Sequence, residues 1–241
     1  MKKVLIIFKW VLAIALLVVV LSFTNDRQDK QLVSLNEISI AVSEDDFVNQ
    51  RIILKYLENK NVSFDNILFN DFKIEDLEDM IKFHPGIKSV EVFNDQKGKV
   101  NIELEQKKAV VRIKSKLSDY YLDEFANKMQ LSDNYTPRLL VVTGDVNEEN
   151  HQSIFDFVTE INNSEFWNAQ LTQIHFKNNN DVILIPRVGN QKINFGKLEN
   201  TTEKLYNLYQ FYKIAMPVKG WQTYSDINLK FNNQIVCTKN K

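Results

Sequence analysis

The sequence predicts an α+β protein: a single N-terminal transmembrane helix, then a small β-α-α-β-β domain, then a strand-rich β domain with flanking helices. Three observations predict it. Residues 4–23 are apolar apart from Lys9 and Ser22, and a helix of about 20 such residues spans the roughly 30 Å hydrocarbon core of a bilayer. Beyond them, apolar positions recur with helical period in some blocks and with period two in others. Finally, 44% hydrophobic residues in a chain of 241 leave enough apolar material for one or two packed cores after the anchor.

The anchor comes first. Lys2 and Lys3 lie in a short tail, 1–3, and Lys9 sits near the same end of the span at 4–23. The far flank is balanced, Asp26 and Asp29 against Arg27 and Lys30. Excess Lys and Arg stays cytoplasmic, so the amino terminus is expected inside and the bulk of the chain outside. Lys9 can snorkel to the headgroups and Trp10 fits an interfacial position. A cleaved signal peptide has a shorter apolar core, roughly 7–15 residues, and small residues before the cut. Val20-Leu21-Ser22 is a poor cleavage site. Residues 24–34 read as a juxtamembrane segment.

The first exported domain covers 35–108. Ile38, Ile40 and Val42 alternate with polar residues, as in a strand with one buried face. Ser43 followed by Glu44, Asp45 and Asp46 predicts a helix start, with Phe47, Ile52, Ile53, Tyr56 and Leu57 at helical spacing. A second helix is expected over 74–83, its stripe Ile74, Leu77, Met80 and Ile81, ended by His84-Pro85-Gly86. Ile87, Val90 and Val92 mark one strand and Val100, Ile102 and Leu104 another, around a loop at 94–98.

The second domain covers 109–241. Strands at 120–123 and 128–131 flank a turn at 124–127, and a short strand at 139–142 closes on Thr143-Gly144. A helix is expected over 148–162 with Ile154, Phe155, Val158 and Ile161 inward. Strands at 171–176, 182–186 and 191–195 form a meander. A last helix, 202–215, is capped by Thr201 or Thr202 and packs on Leu205, Leu208, Tyr209 and Tyr212. Strands at 227–231 and 234–238 form a closing hairpin over Asn232-Asn233.

Nothing in this pattern supplies an active site, so no enzymatic activity, cofactor or metal is expected. His84, His151 and His175 are far apart, with no metal-ligand spacing. Cys237 is alone, which rules out an internal disulfide. The six glycines fall at expected element ends and form no phosphate loop. Glu75, Asp76, Glu78 and Asp79 read as a solvated helix face. Lys107, Lys108, Arg112, Lys114 and Lys116 could meet anionic lipid or polymer, but lack the interleaved aromatics of a nucleic-acid groove. Net charge is −1, so no nucleic-acid partner is expected.

The layout resembles the bacterial division family FtsQ, called DivIB in Gram-positive bacteria. The first domain is similar to a POTRA domain. His84-Pro85-Gly86-Ile87-Lys88-Ser89-Val90 resembles the family's helix-to-strand junction, and the stretch from Glu105 through Ala109 to Ile113 its exit from that domain. Tyr120-Tyr121-Leu122-Asp123-Glu124, Met129-Gln130-Leu131-Ser132 and Val141-Val142-Thr143-Gly144 resemble the opening of the FtsQ β domain. Residues 227–237 resemble its closing hairpin. Ala126-Asn127 departs from the family, which usually has a glycine turn there.

The resemblance implies a non-enzymatic, single-pass scaffold of the inner (plasma) membrane at the division septum. Its bulk would be periplasmic, and it would bind FtsB- and FtsL-type partners and other divisome membrane proteins. Two rival readings remain: a POTRA-containing envelope protein for outer-membrane protein assembly or secretion, and an exported envelope enzyme.

The docking segment is expected at the chain end: Phe231, Asn232, Asn233, Gln234, Ile235, Val236, Cys237 and Thr238. Terminal strands often form sheet edges, whose free backbone groups can pair with an incoming strand. Few charges protect this segment before Lys239. Phe231 would be an aromatic anchor, and in FtsQ-like proteins the closing hairpin binds FtsB. The alternative is that Phe231 is ordinary core and the strand interior.

Overall fold

A computed structural model of the protein describes residues 8–20, 32–43, 46–64, 66–68, 71–95, 97–116, 118–177, 180–231 and 234–240. The chain divides into two compact units, Met1–Gln106 and Lys107–Lys241.

In the first unit, residues 8–20 form a helix, α1, with exposed side chains. The rest of the expected span, 4–7 and 21–23, lies outside the described residues, as do 1–3 and 24–31. No helix among the described residues is long and apolar enough to cross a membrane. Then follow β1 (Ser34–Ile40), α2 (Gln50–Asn59), α3 (Ile74–Lys82), β2 (Ile87–Asn94) and β3 (Lys99–Gln106). The strands form a sheet in the order β1-β3-β2, with β1 parallel and β2 antiparallel to β3. Ile38, Ile53, Leu57, Leu77, Ile81, Val92, Ile102 and Leu104 are buried together as its core. Ile40 and Val90, expected among them, are half-buried.

The start of α2 differs from expectation, for a tertiary reason. Oε1 of the buried Gln106 accepts hydrogen bonds from the backbone N–H of Phe47 at 3.0 Å and of Val48 at 3.2 Å. This holds both residues as a buried, non-helical lead-in. The helix therefore starts at Gln50, not just after Ser43, and Asn49 caps it by accepting from Ile52 N at 3.1 Å. Glu44 and Asp45 lie outside the described residues. Upstream, β1 ends at Ile40, and Val42 is fully exposed. The loop at 94–98 is tied by Asp95, whose Oδ1 accepts from Lys97 N and Lys99 N.

The second unit carries β4 (Ala109–Lys114), β5 (Asp119–Asp123), β6 (Lys128–Met129), β7 (Val141–Gly144), α4 (His151–Asn162), α5 (Glu165–Gln170), β8 (Leu171–Phe176), β9 (Val182–Pro186), β10 (Lys192–Gly196), α6 (Thr201–Lys219), β11 (Tyr224–Asn228) and β12 (Val236–Lys239). Among the described residues its strands form one sheet in the order β12-β11-β10-β9-β8-β7-β4-β5-β6. β7 and β8 are parallel and joined through α4 and α5; β10 and β11 are parallel and joined through α6. β8 and β10 are both antiparallel to β9, so the two crossovers start from parallel strands and step the same way across the sheet. Right-handed crossovers then place α4, α5 and α6 on one face. Their buried residues, Ile154, Phe157, Trp167, Leu205, Leu208, Tyr212 and Met216, form one cluster with Val111, Val142, Ile174, Leu184, Phe195 and Ile227 of the sheet.

Several local expectations are corrected here. Phe157 is buried where Phe155 was expected, and Phe155 is half-buried. α5 has no counterpart in the sequence reading; Ser164 caps it by accepting from Trp167 N. α6 starts at Thr201 after Asn200, which adopts φ 51° and makes no side-chain cap bond. It continues past Ala215 through Pro217 to Lys219, burying Met216, while Tyr209 is half-buried. The turn at 124–127 is held by Asp123, whose Oδ1 accepts from Phe125 N and Asn127 N, with Ala126 at φ 61°. Gly144 has φ 94°, and a Cβ there would sit 2.0 Å from the carbonyl oxygen of Phe176.

Candidate partner-docking edge

β12 owes its position to β11 and to the turn before it. Asn228 pairs with Val236, Ile227 with Cys237, Asp226 with Thr238 and Tyr224 with Lys239, antiparallel throughout. The expected two-residue hairpin is therefore a longer connection over 229–235. The strand expected to run to 231 leaves the ladder with β12 after Asn228, while Leu229 stays docked on β10: its N–H donates to Asn194 O at 2.9 Å and its side chain is buried. Asn228 Oδ1 accepts from Lys230 N and bends the chain after it. Lys230 then pairs with Asp181, fastening the connection to the β8–β9 loop. No sequence signal could have announced a pair so distant in the chain.

β12 ends the sheet. In an antiparallel pair, alternate residues turn both backbone groups toward the partner strand and the residues between turn theirs away. Asn240 N donates to Thr223 O at 2.9 Å, which sets the parity. Val236 and Thr238 therefore face β11, and the N–H and C=O of Cys237 and Lys239 face the open side. Ile235 and Cys237 direct their side chains to the core cluster and are half-buried; Val236 and Thr238 are exposed on the opposite face. Burial pushes the Cys237 thiol pKa up, away from nucleophilic use.

Phe231 is 49% exposed rather than core. It lines a shallow hollow with Asn207, Leu229 and Gln234. Asn232 and Asn233 lie outside the described residues.

The remaining chemistry-bearing residues are engaged structurally. Tyr120 OH lies 2.7 Å from His151 Nε2, and burial holds that histidine below its usual pKa. His84 is lowered by the same cause, and its Nδ1 accepts from Gly86 N. His175 Nδ1 lies 2.9 Å from Thr143 Oγ1. Ion pairs divide the basic stretch. Lys107 Nζ is 3.1 Å from Asp123 Oδ2, and Arg112 grips Asp119 with Nε at 2.8 Å and a second guanidinium nitrogen at 2.7 Å, holding that carboxyl below its usual pKa. Glu75, Asp76 and Asp79 are exposed on α3. Among the described residues, no group of three or more His, Cys, Asp or Glu could hold a metal ion.

Comparison with known proteins agrees with this architecture. A family model described as FtsQ/DivIB, C-terminal related, matches residues 108–238. A second, described as a POTRA-like domain, matches residues 28–105. No curated protein matches the chain.

Proposed function

The chain belongs to the FtsQ/DivIB, C-terminal related family, and on that footing we propose that it is a non-enzymatic, single-pass membrane scaffold of the bacterial divisome. It binds FtsB- and FtsL-type partners by strand addition to β12 and supports septum assembly and septal peptidoglycan synthesis. Other divisome membrane proteins are expected to join it. The observation that carries the reading is the open edge of β12, with the backbone groups of Cys237 and Lys239 facing outward, at the end of a domain of this family.

Residues 4–23 supply the anchor in this reading: α1 covers 8–20, and Lys2, Lys3 and Lys9 keep the amino terminus cytoplasmic. The bulk of the chain is then periplasmic. A periplasm-active reporter fused after Lys241 is active, and the protein sediments with membranes. A soluble product lacking the apolar segment overturns the anchor.

Imaging tests the function. A fluorescent fusion in dividing cells forms a midcell band; a uniform envelope signal in cells that are visibly constricting overturns the division role.

A further inference from the structure

The three-stranded sheet has an open edge of its own, because β2 ends it on one side. Asp95 N donates to Lys99 O at 2.9 Å and continues the register in which Phe93 faces Asn101 and Glu91 faces Glu103. Across β3, Ala41 N donates to Leu104 O at 2.8 Å, so Leu104 turns to β1 and Glu103 turns to β2. Alternate residues of an antiparallel strand turn both backbone groups the same way. Glu91 and Phe93 therefore face β3, and the N–H and C=O of Val90, Val92 and Asn94 face the open side.

Charge marks this edge. Glu91 and Glu103 are directly opposed and both exposed, and like charges so placed repel. Neither carboxylate has an ion-pair partner among the described residues. The lysine of β2, Lys88, is held by Glu105 at 2.7 Å. Ser39, beside Glu103 on β1, is neutral, and Phe93, two residues along β2, is 42% exposed. In an antiparallel strand added to β2, the residue opposite Glu91 forms a pair without hydrogen bonds, the kind with the closest side chains. So does the residue two positions on, opposite Phe93.

We propose that the β2 edge takes an extended segment of a partner protein, with a lysine or arginine opposite Glu91 and an apolar side chain two positions on, opposite Phe93. It is independent of the β12 edge. The outward groups of Val90, Val92 and Asn94 hold the backbone, and the cation relieves the repulsion between Glu91 and Glu103. Charge on an edge strand keeps unwanted strands off. At Glu91 it turns away acidic segments and admits basic ones. A second copy of β2 does not meet this demand. In the antiparallel registers of fullest overlap it sets Ser89, Glu91 or Phe93 opposite Glu91, none of them a cation.

The test uses the full chain in detergent micelles at low salt and two short synthetic peptides with glutamine ends. Both alternate threonine with two chosen residues: Lys then Leu in one, Glu then Leu in the other. The Lys peptide is expected to bind about tenfold more tightly, since attraction in one and repulsion in the other both count. Glu91→Lys, which sets a lysine opposite Glu103 and spares the fold, should reverse the preference. Val90→Pro, which removes an N–H only from the open side, should abolish binding of the Lys peptide, and Cys237→Pro at the other edge should not. Equal affinity for the two peptides, or a preference that survives Glu91→Lys, overturns the proposal. So does binding that is insensitive to Val90→Pro, or no binding of either peptide. A dimer of the chain that dissociates on Val90→Pro would make a second copy the occupant and overturn it as well.

Discussion

Lys107 Nζ lies 3.1 Å from Oδ2 of Asp123, a carboxylate with no exposed surface. The other oxygen of Asp123 accepts the two backbone N–H groups that close the β5–β6 turn. One buried side chain thus joins the start of the second unit to its first hairpin. Asp123→Ala removes the pair and both bonds at once, and about 3 kcal/mol of stability is expected to go with them. Urea denaturation checks this; a loss within about 0.5 kcal/mol, the range of ordinary surface changes, would show the contact to be incidental.

Ala126 in the same turn sits at φ 61°, where a Cβ is strained. Glycine relieves that strain but gains freedom in the unfolded chain, so the two effects partly cancel. Ala126→Gly is expected to leave stability unchanged or raise it by up to about 1 kcal/mol. A clear drop in urea midpoint would mean that the turn is not left-handed there.

Leu77 is 3% exposed on α3, between the helix and the three-stranded sheet. Leu77→Ala is expected to cost about 2–5 kcal/mol, as truncation of a packed leucine does. Pro85, exposed just after the helix, should accept Ala with little change. Equal effects at the two positions would put the register of α3 in error.

How far the sequence reaches can be judged from such positions. Period and punctuation sufficed for Leu77, for the stops at His84-Pro85-Gly86 and for the meander of β8, β9 and β10, because those signals are local. The start of α2 was misplaced because Gln106, distant in the chain, overrides the helix signal at Ser43. α5 is too short for a period to show. The closing strands pair over fewer residues than their apolar pattern suggests, with β11 ending at Asn228 and β12 starting at Val236, because Lys230 is drawn to Asp181, a partner that is invisible in sequence. For the docking segment, alternation separated Ile235 and Cys237 from Val236 and Thr238. Only sheet order shows that β12 is an edge.

Burial holds His151 below the usual histidine pKa, with Glu148 opposing and Lys128 assisting, and burial lowers His84 as well. A base whose folded pKa is depressed binds its proton more weakly when folded. The stability it contributes is complete above the unfolded value, about 6.5, and is lost as pH falls below it toward the folded value. The urea midpoint should therefore decline between pH 7.5 and pH 5, and His151→Gln, which can still bond Tyr120 OH, should flatten the decline. A midpoint that rises on acidification contradicts this assignment.

The parity of β12 yields the last expectation. Val236 turns its N–H toward β11, whereas Cys237 turns its own to the open side. Proline is tolerated on an edge strand only where the lost N–H was unpaired. Val236→Pro should therefore break the ladder to Asn228 and expose Ile227 and Leu229, which amide hydrogen exchange at these residues would report. Cys237→Pro should leave that exchange pattern as it is and lose the partner. The two variants separate folding from docking. If Cys237→Pro loosens Ile227 as much as Val236→Pro does, the assigned parity is wrong and Val236 and Thr238 carry the open groups. If it keeps both the fold and the partner's full affinity, the partner does not dock on this edge.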